Sequence, residues 1–289
     1  MTTAREWVAG ARPRTLPAGV APVLVGTGAA VEPSAGRALL ALVVALALQV
    51  GVNYANDYSD GVRGTDADRV GPMRLVGSGT ASPTAVKRAA LLAFAVAAGT
   101  GLVLALLTTL WLVALGAVCI AAGWGYTGTS SPYGYRGLGE VSVFVFFGLV
   151  AVTGTAYVQG EQVPAEAVLG GVAVGALACA VLVTNNLRDL PTDRDAGKRT
   201  LAVVLGDSST RRLYTALVLT AVPLVPVLLV PVSGSPWPLV GLLALWLAAP
   251  VLQLVQSGVV GRDLVPVLGA TGRLSLVAGA LLALGLALA

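Results

Sequence analysis

Two short polar stretches hold most of the side chains that could do chemistry in this sequence. The first lies within 53–68 and contains Asn56, Asp60 and Asp66; the second lies within 184–199 and contains Asn185, Asp189 and Asp193. Asn56 and Asp60 are four residues apart, as are Asn185 and Asp189, and Asp189 and Asp193. A spacing of four stacks side chains on one helical face, and the pairs 56/60 and 185/189 repeat at one offset along the chain. Carboxylates aligned in this way repel one another and are costly beside hydrocarbon unless something neutralises them. A hard divalent cation does so, and Mg²⁺ takes a few carboxylate oxygens together with waters and phosphate oxygens. Bases accompany each stretch: Arg63, Arg69 and Arg74 with the first, Arg188, Arg194, Lys198 and Arg199 with the second. Carboxylates for a metal beside Arg and Lys for phosphate oxygens describe a site for a metal-bound diphosphate.

Other chemistries are excluded. The chain has no histidine, which removes a Ser-His-Asp triad, a Cys-His pair and His-ligated zinc or haem. Its two cysteines, Cys119 and Cys179, sit in apolar runs without a CxxC pairing and read as small buried packing residues. Neither acidic stretch has the alternating ligands, turn glycine and closing Glu of an EF-hand. Asp57, Asp68, Asp195, Arg69, Arg211 and Arg212 read individually as well as solvated charges at helix ends.

The elements that must position these groups are membrane spans. Of 289 residues, 56% are hydrophobic and 11% charged, against about 25% charged in an average soluble domain. A span takes about 20 apolar residues, and apolar stretches occur at about 16–31, 38–55, 86–107, 110–128, 141–158, 166–186, 211–231, 237–256 and 266–288. The expected architecture is therefore an all-α membrane protein of about nine transmembrane helices in a pseudo-duplicated bundle, one polytopic domain over 1–289. Its central cavity is expected to open to the cytoplasm. The first stretch, interrupted by Pro17 and Pro22, lacks a compact apolar core ending in a small-residue cleavage site and reads as a retained helix. With the N-terminus inside, every basic residue except Arg37 and Arg273 falls at the cytoplasmic side, as the positive-inside rule requires. The acidic stretches close the second and sixth spans, so the working connections, about 56–86 and 187–210, face the cytoplasm of a multi-pass cell-membrane protein. The basic excess suits anionic lipid or substrate; no soluble basic domain exists to bind nucleic acid.

The sequence resembles the UbiA superfamily of intramembrane aromatic prenyltransferases, whose motifs are an Asn-x-x-x-Asp cluster with a further Asp and a second Asp-x-x-x-Asp. Four stretches carry the likeness: 12–26, opening Arg12-Pro13-Arg14-Thr15; 53–68; 125–140, with Tyr126, Tyr133 and Arg136; and 185–201. The opening stretch and the Tyr-rich connection point to the branch that prenylates 1,4-dihydroxy-2-naphthoate in menaquinone biosynthesis. Asp66 lies six residues after Asp60, farther than in the general motif. The resemblance implies a polyprenyl diphosphate donor, an aromatic acceptor and Mg²⁺. On that reading Asn56, Asp60 and Asp66 hold one metal and Asp189 and Asp193 another, with Asn185 nearby. Arg63, Arg74, Lys198 and Arg199 are the candidates to hold diphosphate. Tyr126 and Tyr133 are candidates to orient the ring or shield an allylic cation, although interface tyrosines are often simple anchors. Arg136 is a candidate for the acceptor carboxylate, and its placement at the cytoplasmic side explains it equally well. The alternatives are another aromatic acceptor, 4-hydroxybenzoate or homogentisate, and a cation-coupled transporter. A transporter's acids belong near mid-membrane in broken helices, whereas these close their spans. Donor chain length and oligomeric state are not written in such spacing.

Overall fold

A computed structural model describes residues 2–64 and 73–289; Asp66, Asp68 and Arg69 lie outside the described residues. A short helix α1 (Ala4–Gly10) precedes α2 (Pro17–Gly28), α3 (Ala35–Arg63), α4 (Pro83–Leu107), α5 (Trp111–Gly125), α6 (Gly139–Gly160) and α7 (Ala165–Arg188). Two short pieces, α8 (Leu190–Asp195) and α9 (Leu201–Leu205), lead to α10 (Asp207–Ser233), α11 (Trp237–Gln256) and α12 (Gly261–Ala287). No strand occurs among the described residues. Seven of these helices, α3, α4, α6, α7, α10, α11 and α12, are long and apolar enough to cross a membrane. The first and fourth expected stretches appear as α2 and α5, apolar but shorter. The protein is a multi-pass membrane protein.

Local sequence explains the boundaries. Ser34 caps α3 by accepting a bond from the Arg37 amide, and Gly64, at φ 74°, ends it in the left-handed conformation that glycine adopts without steric cost. Ser82 caps α4, with Pro83 at the first position, where a missing N–H costs nothing. The packing is that of small residues: a Cβ added to Gly148 on α6 would lie 2.5 Å from the Gly175 Cα on α7. Such close backbone approach replaces the hydrophobic drive that lipid cannot supply.

Helix α7 is the most enclosed of the seven spans. It packs against α6, α10 and α12, while α3 lies along α4 and α12 lies along α2. At the ends away from the acidic stretches, Arg37 donates to the carbonyls of Val158, Gln159 and Leu107, which ties α3 to α6 and α4. Cys179 is buried as expected, while Cys119 is only half-buried; both are free thiols.

Candidate active site

The last three turns of α3 present two polar rows with different tasks. Asn53 and Asp57 form the structural row. The Asn53 amide donates to the Ala11 carbonyl at 2.9 Å and to the Thr15 hydroxyl at 3.0 Å, which fastens the N-terminal segment to the helix. The Asp57 carboxylate accepts the Leu75 and Val76 amides at 2.8 and 3.0 Å. Asp57 is fully buried, so the solvated-charge reading of this residue is corrected: its carboxylate substitutes for water as acceptor of one buried N–H group, that of Leu75, and one half-buried, that of Val76. Arg211 needs the same correction. It is buried, pairs bidentately with Asp207 and also donates to the Val255 and Val259 carbonyls. Asp195 and Arg212 are exposed, as a solvated reading requires.

Asn56 and Asp60, one turn apart, form the other row. Asn56 Oδ1 accepts a 2.6 Å hydrogen bond from the Thr127 hydroxyl. Asp60, only 5% exposed, accepts from the Tyr135 hydroxyl and has Arg74 Nη2 at 3.6 Å and Lys198 Nζ at 3.9 Å. Arg74 is itself buried, set there by the two Asp57 bonds to the residues that follow it.

The second stretch begins where α7 ends. Asp189 is the residue between α7 and α8, and the Asp193 amide donates to its carbonyl at 2.8 Å, so the four-residue spacing survives the break. Arg188 donates from Nε and Nη2 to the two Asp189 oxygens at 2.7 and 2.6 Å, a bidentate fork. The Lys198 amide returns to the Asp193 carbonyl at 2.8 Å. That turn delivers the Lys198 ammonium 4.0 Å from Asp193, 3.9 Å from Asp60 and 4.8 Å from the Tyr135 ring centroid. One cation thus joins the two acidic stretches, although they lie far apart in sequence.

The other expected residues surround this junction unequally. Arg63 is exposed, donates to the Thr127 and Thr129 carbonyls, and has its guanidinium carbon 5.6 Å from the Tyr135 ring centroid. Arg199 is exposed, and its amide donates to the Tyr135 carbonyl at 3.1 Å. Asn185 is half-buried, and its carbonyl receives the Asp189 amide. Tyr126 lies within electrostatic reach of Glu140, Asp60 and Asp193, with its ring 5.5 Å from that of Tyr133 in an edge-on pair. Tyr133 donates to the Ala122 carbonyl at 2.7 Å and shares a 2.9 Å bond with Ser142. Burial pushes its hydroxyl above the ordinary tyrosine range, and the Ser142 bond pulls it partly back; it is a neutral phenol at physiological pH. Arg136 is exposed and donates to Ser131.

Tyr135 and Thr127, in direct contact with Asp60 and Asn56, carry no expectation from the sequence, whereas Arg188 is expected only as a base accompanying the second stretch and proves to be the partner of Asp189. Tyr135 had one available signal, its place two residues after Tyr133 in the Tyr-rich connection. Glu140 and Asn186 add a buried pair, with the amide donating to Glu140 Oε1 at 2.9 Å. No group of three or more Asp, Glu, Cys or His side chains converges among the described residues.

An all-helical membrane protein with Asp, Arg, Lys and Tyr gathered where two of its spans end belongs to the class of intramembrane enzymes that handle charged headgroups on apolar chains. The chain belongs to the UbiA prenyltransferase family, whose model matches residues 19–263. It is 56% identical over 280 residues to the 1,4-dihydroxy-2-naphthoate octaprenyltransferase of Mycobacterium tuberculosis, covering 96% of this chain and 95% of that one. The Escherichia coli protein of the same name is 38% identical, over 91% of this chain and 87% of its own length. Among solved structures, a UbiA homolog from Aeropyrum pernix K1 shares the fold with TM-score 0.72 at 18% identity, covering 93% of this chain and 95% of that one. One from Archaeoglobus fulgidus, bound to DMAPP and Mg²⁺, shares it with TM-score 0.60 at 16% identity, over 96% and 98% of the two chains.

Proposed function

We propose that this protein transfers a polyprenyl group from polyprenyl diphosphate to 1,4-dihydroxy-2-naphthoate, releasing CO₂ and diphosphate and forming demethylmenaquinol, the reduced form of demethylmenaquinone. The observation that carries the reading is the Lys198 ammonium held between Asp60 and Asp193, in a chain whose relatives bear the naphthoate enzyme's name over nearly their whole length. The orientation follows from the charges. Seven full-length spans with α2 and α5 give nine crossings, the N-terminus inside and the site open to the cytoplasm of the cell membrane, all in one polytopic domain.

The oxygen donors fit Mg²⁺. The candidate ligands Asn56, Asp60, Asp66, Asp189, Asp193 and Asn185 are all hard, the chain has no imidazole, and Mg²⁺ is ordinarily held by one or two carboxylates plus substrate phosphates. Bound there, the metal supplies positive charge against the diphosphate as its allylic bond breaks.

The protein's own groups do the remaining work. Lys198 and Arg74, now paired with Asp60, are placed to exchange that carboxylate for diphosphate oxygens; Arg63 and Arg199 flank them at the exposed side. Tyr135 holds Asp60 by donating to it, and Arg188 orients Asp189. Tyr126 and Tyr133 present neutral aromatic faces, which attract positive charge, and Arg136 lies farther out as a carboxylate-binding candidate. In the reaction the allylic C–O bond breaks and its electron pair leaves with diphosphate. The ring carbon bearing the carboxylate supplies the pair for the new C–C bond, and the electrons of the lost C–CO₂ bond restore the ring. No proton leaves that carbon, so the step requires no general base at that carbon.

The test uses purified protein in proteoliposomes with a polyprenyl diphosphate and Mg²⁺. Demethylmenaquinol should form from dihydroxynaphthoate, detected as demethylmenaquinone after oxidation in air, and its formation should stop on addition of EDTA. Turnover of only 4-hydroxybenzoate or homogentisate would overturn the acceptor, and turnover undiminished by EDTA would overturn the metal.

A further inference from the structure

Glu140, the second residue of α6, is only 7% exposed yet keeps one carboxylate oxygen unpaired. Its Oε1 accepts from the Asn186 amide at 2.9 Å, and its backbone carbonyl accepts from the Cys179 thiol at 3.1 Å, so side chain and main chain are both held against α7. Its Oε2 is buried as well and has no hydrogen-bond partner among the described residues. A buried acidic oxygen in that state is costly and calls for a donor.

The place of this oxygen in the bundle indicates which donor. Asn186 and Asp189 are three residues apart, hence neighbours on one face, and Asn186 lies about 4.5 Å farther from the end of α7. Glu140 thus stands one turn deeper than the carboxylate expected to face metal and diphosphate. Tyr126 borders both levels. A Cβ on Gly139 would lie 3.0 Å from its hydroxyl, which is within electrostatic reach of Glu140, Asp60 and Asp193 alike. One turn below the diphosphate is where the allylic carbon lies when the apolar chain runs inward, and the acceptor ring must meet it there. Metal-bound diphosphate and hydrocarbon bring no donor to Oε2; the ring hydroxyls of the acceptor do. The geometry points to Glu140 as an acceptor-binding residue, its Oε2 accepting a hydrogen bond from the naphthoate hydroxyl next to the carbon that bears the carboxylate. This role rests on the transfer proposed above and adds to it the group that activates the ring. As the new C–C bond forms, that hydroxyl oxygen releases electron density toward the reacting carbon and its O–H becomes more acidic. A carboxylate oxygen against the O–H favours that state over the starting one. When the C–CO₂ bond breaks, its electron pair restores the ring and the hydroxyl keeps its proton. Asn186, bonded to Oε1, is the positioning residue.

Glu140→Gln should lower kcat/KM for dihydroxynaphthoate by roughly 10- to 100-fold, the loss of one hydrogen bond to a charged group. The donor KM and the thermal midpoint in detergent should match the wild type. Two methyl ethers, tested as competitors of the acceptor, separate contact from scaffolding. The substitution should weaken binding of 1-hydroxy-4-methoxy-2-naphthoate and leave that of 4-hydroxy-1-methoxy-2-naphthoate, which lacks the O–H in question, unchanged. The wild type alone should bind the first of these roughly tenfold more tightly than the second, a reading that does not depend on the variant. Full activity in Glu140→Gln, while the wild type makes demethylmenaquinol, overturns this role and leaves the transfer standing. Absence of product from the wild type overturns the transfer and this role with it. A raised donor KM, or equal weakening of both ethers by the substitution, overturns the contact with the hydroxyl.

Discussion

At the scale of single residues, the junction of Asp60, Tyr135, Arg74 and Lys198 concentrates the consequences. Asp60→Asn removes a charge that two cations and a phenol are arranged around, so turnover should be abolished while the protein still inserts and purifies as the wild type does. Tyr135→Phe deletes one hydrogen bond to a charged group, worth about 1.5–3 kcal/mol. A fall in kcat/KM of roughly 10- to 100-fold is expected, measured with dihydroxynaphthoate saturating and donor varied. If Tyr135→Phe turns over like the wild type, the phenol does not position Asp60. Asn56, Asp60, Asp189 and Asp193 were legible in the sequence because a spacing of four has one meaning on a helix. Tyr135 was hidden for the opposite reason. It belongs to a 3₁₀ turn, Tyr133–Arg136, where three residues complete a turn and residues two apart point to different sides. Tyr133 therefore reaches Ser142 while Tyr135 reaches Asp60.

Elements set the positions of those residues. Arg74 stands beside Asp60 because Asp57, on another face of the same helix, grips the next two amides. Asp57→Ala leaves the buried Leu75 N–H without its acceptor, at about 1–3 kcal/mol, and frees the half-buried Val76 N–H as well. Activity should drop by at least tenfold, with the donor KM raised as Arg74 loses its place; an unchanged donor KM would sink this role. Helix contacts are equally specific. Gly148→Val would force α6 away from Gly175 of α7, and the thermal midpoint in detergent should fall by several degrees. Hydropathy made nearly all these helices visible, since long apolar runs have no other use. The short extent of α2 was less legible: the apolar stretch suggested 16–31, and the helix occupies Pro17–Gly28. The last residues of that stretch are still apolar, and hydropathy registers composition, not the turn that begins after Gly28.

For the whole molecule, the prediction concerns sidedness. Glu161 lies at the end of α6 and Ala196 just after α8, at opposite ends of the bundle if the basic residues are inside. In intact cells, a membrane-impermeant thiol reagent should label Glu161→Cys at once, and Ala196→Cys only after permeabilisation. The reverse pattern would invert the orientation. Fold class and the two acidic stretches could be read from composition and spacing, because both are local in sequence. Their junction could not, since Lys198 meets Asp60 only once the chain between them has folded, and no local pattern encodes that meeting.

The grip of Asp57 on Leu75 and Val76 has one more consequence. With Asp60 beside Arg74, a single turn of α3 fastens the chain on the far side of the stretch between Gly64 and Met73. The main chain therefore carries the address of Arg74, and Asp60 meets only its charge. Asp60→Asn leaves the guanidinium at its post without the charge it met there, whereas Asp57→Ala moves the post itself.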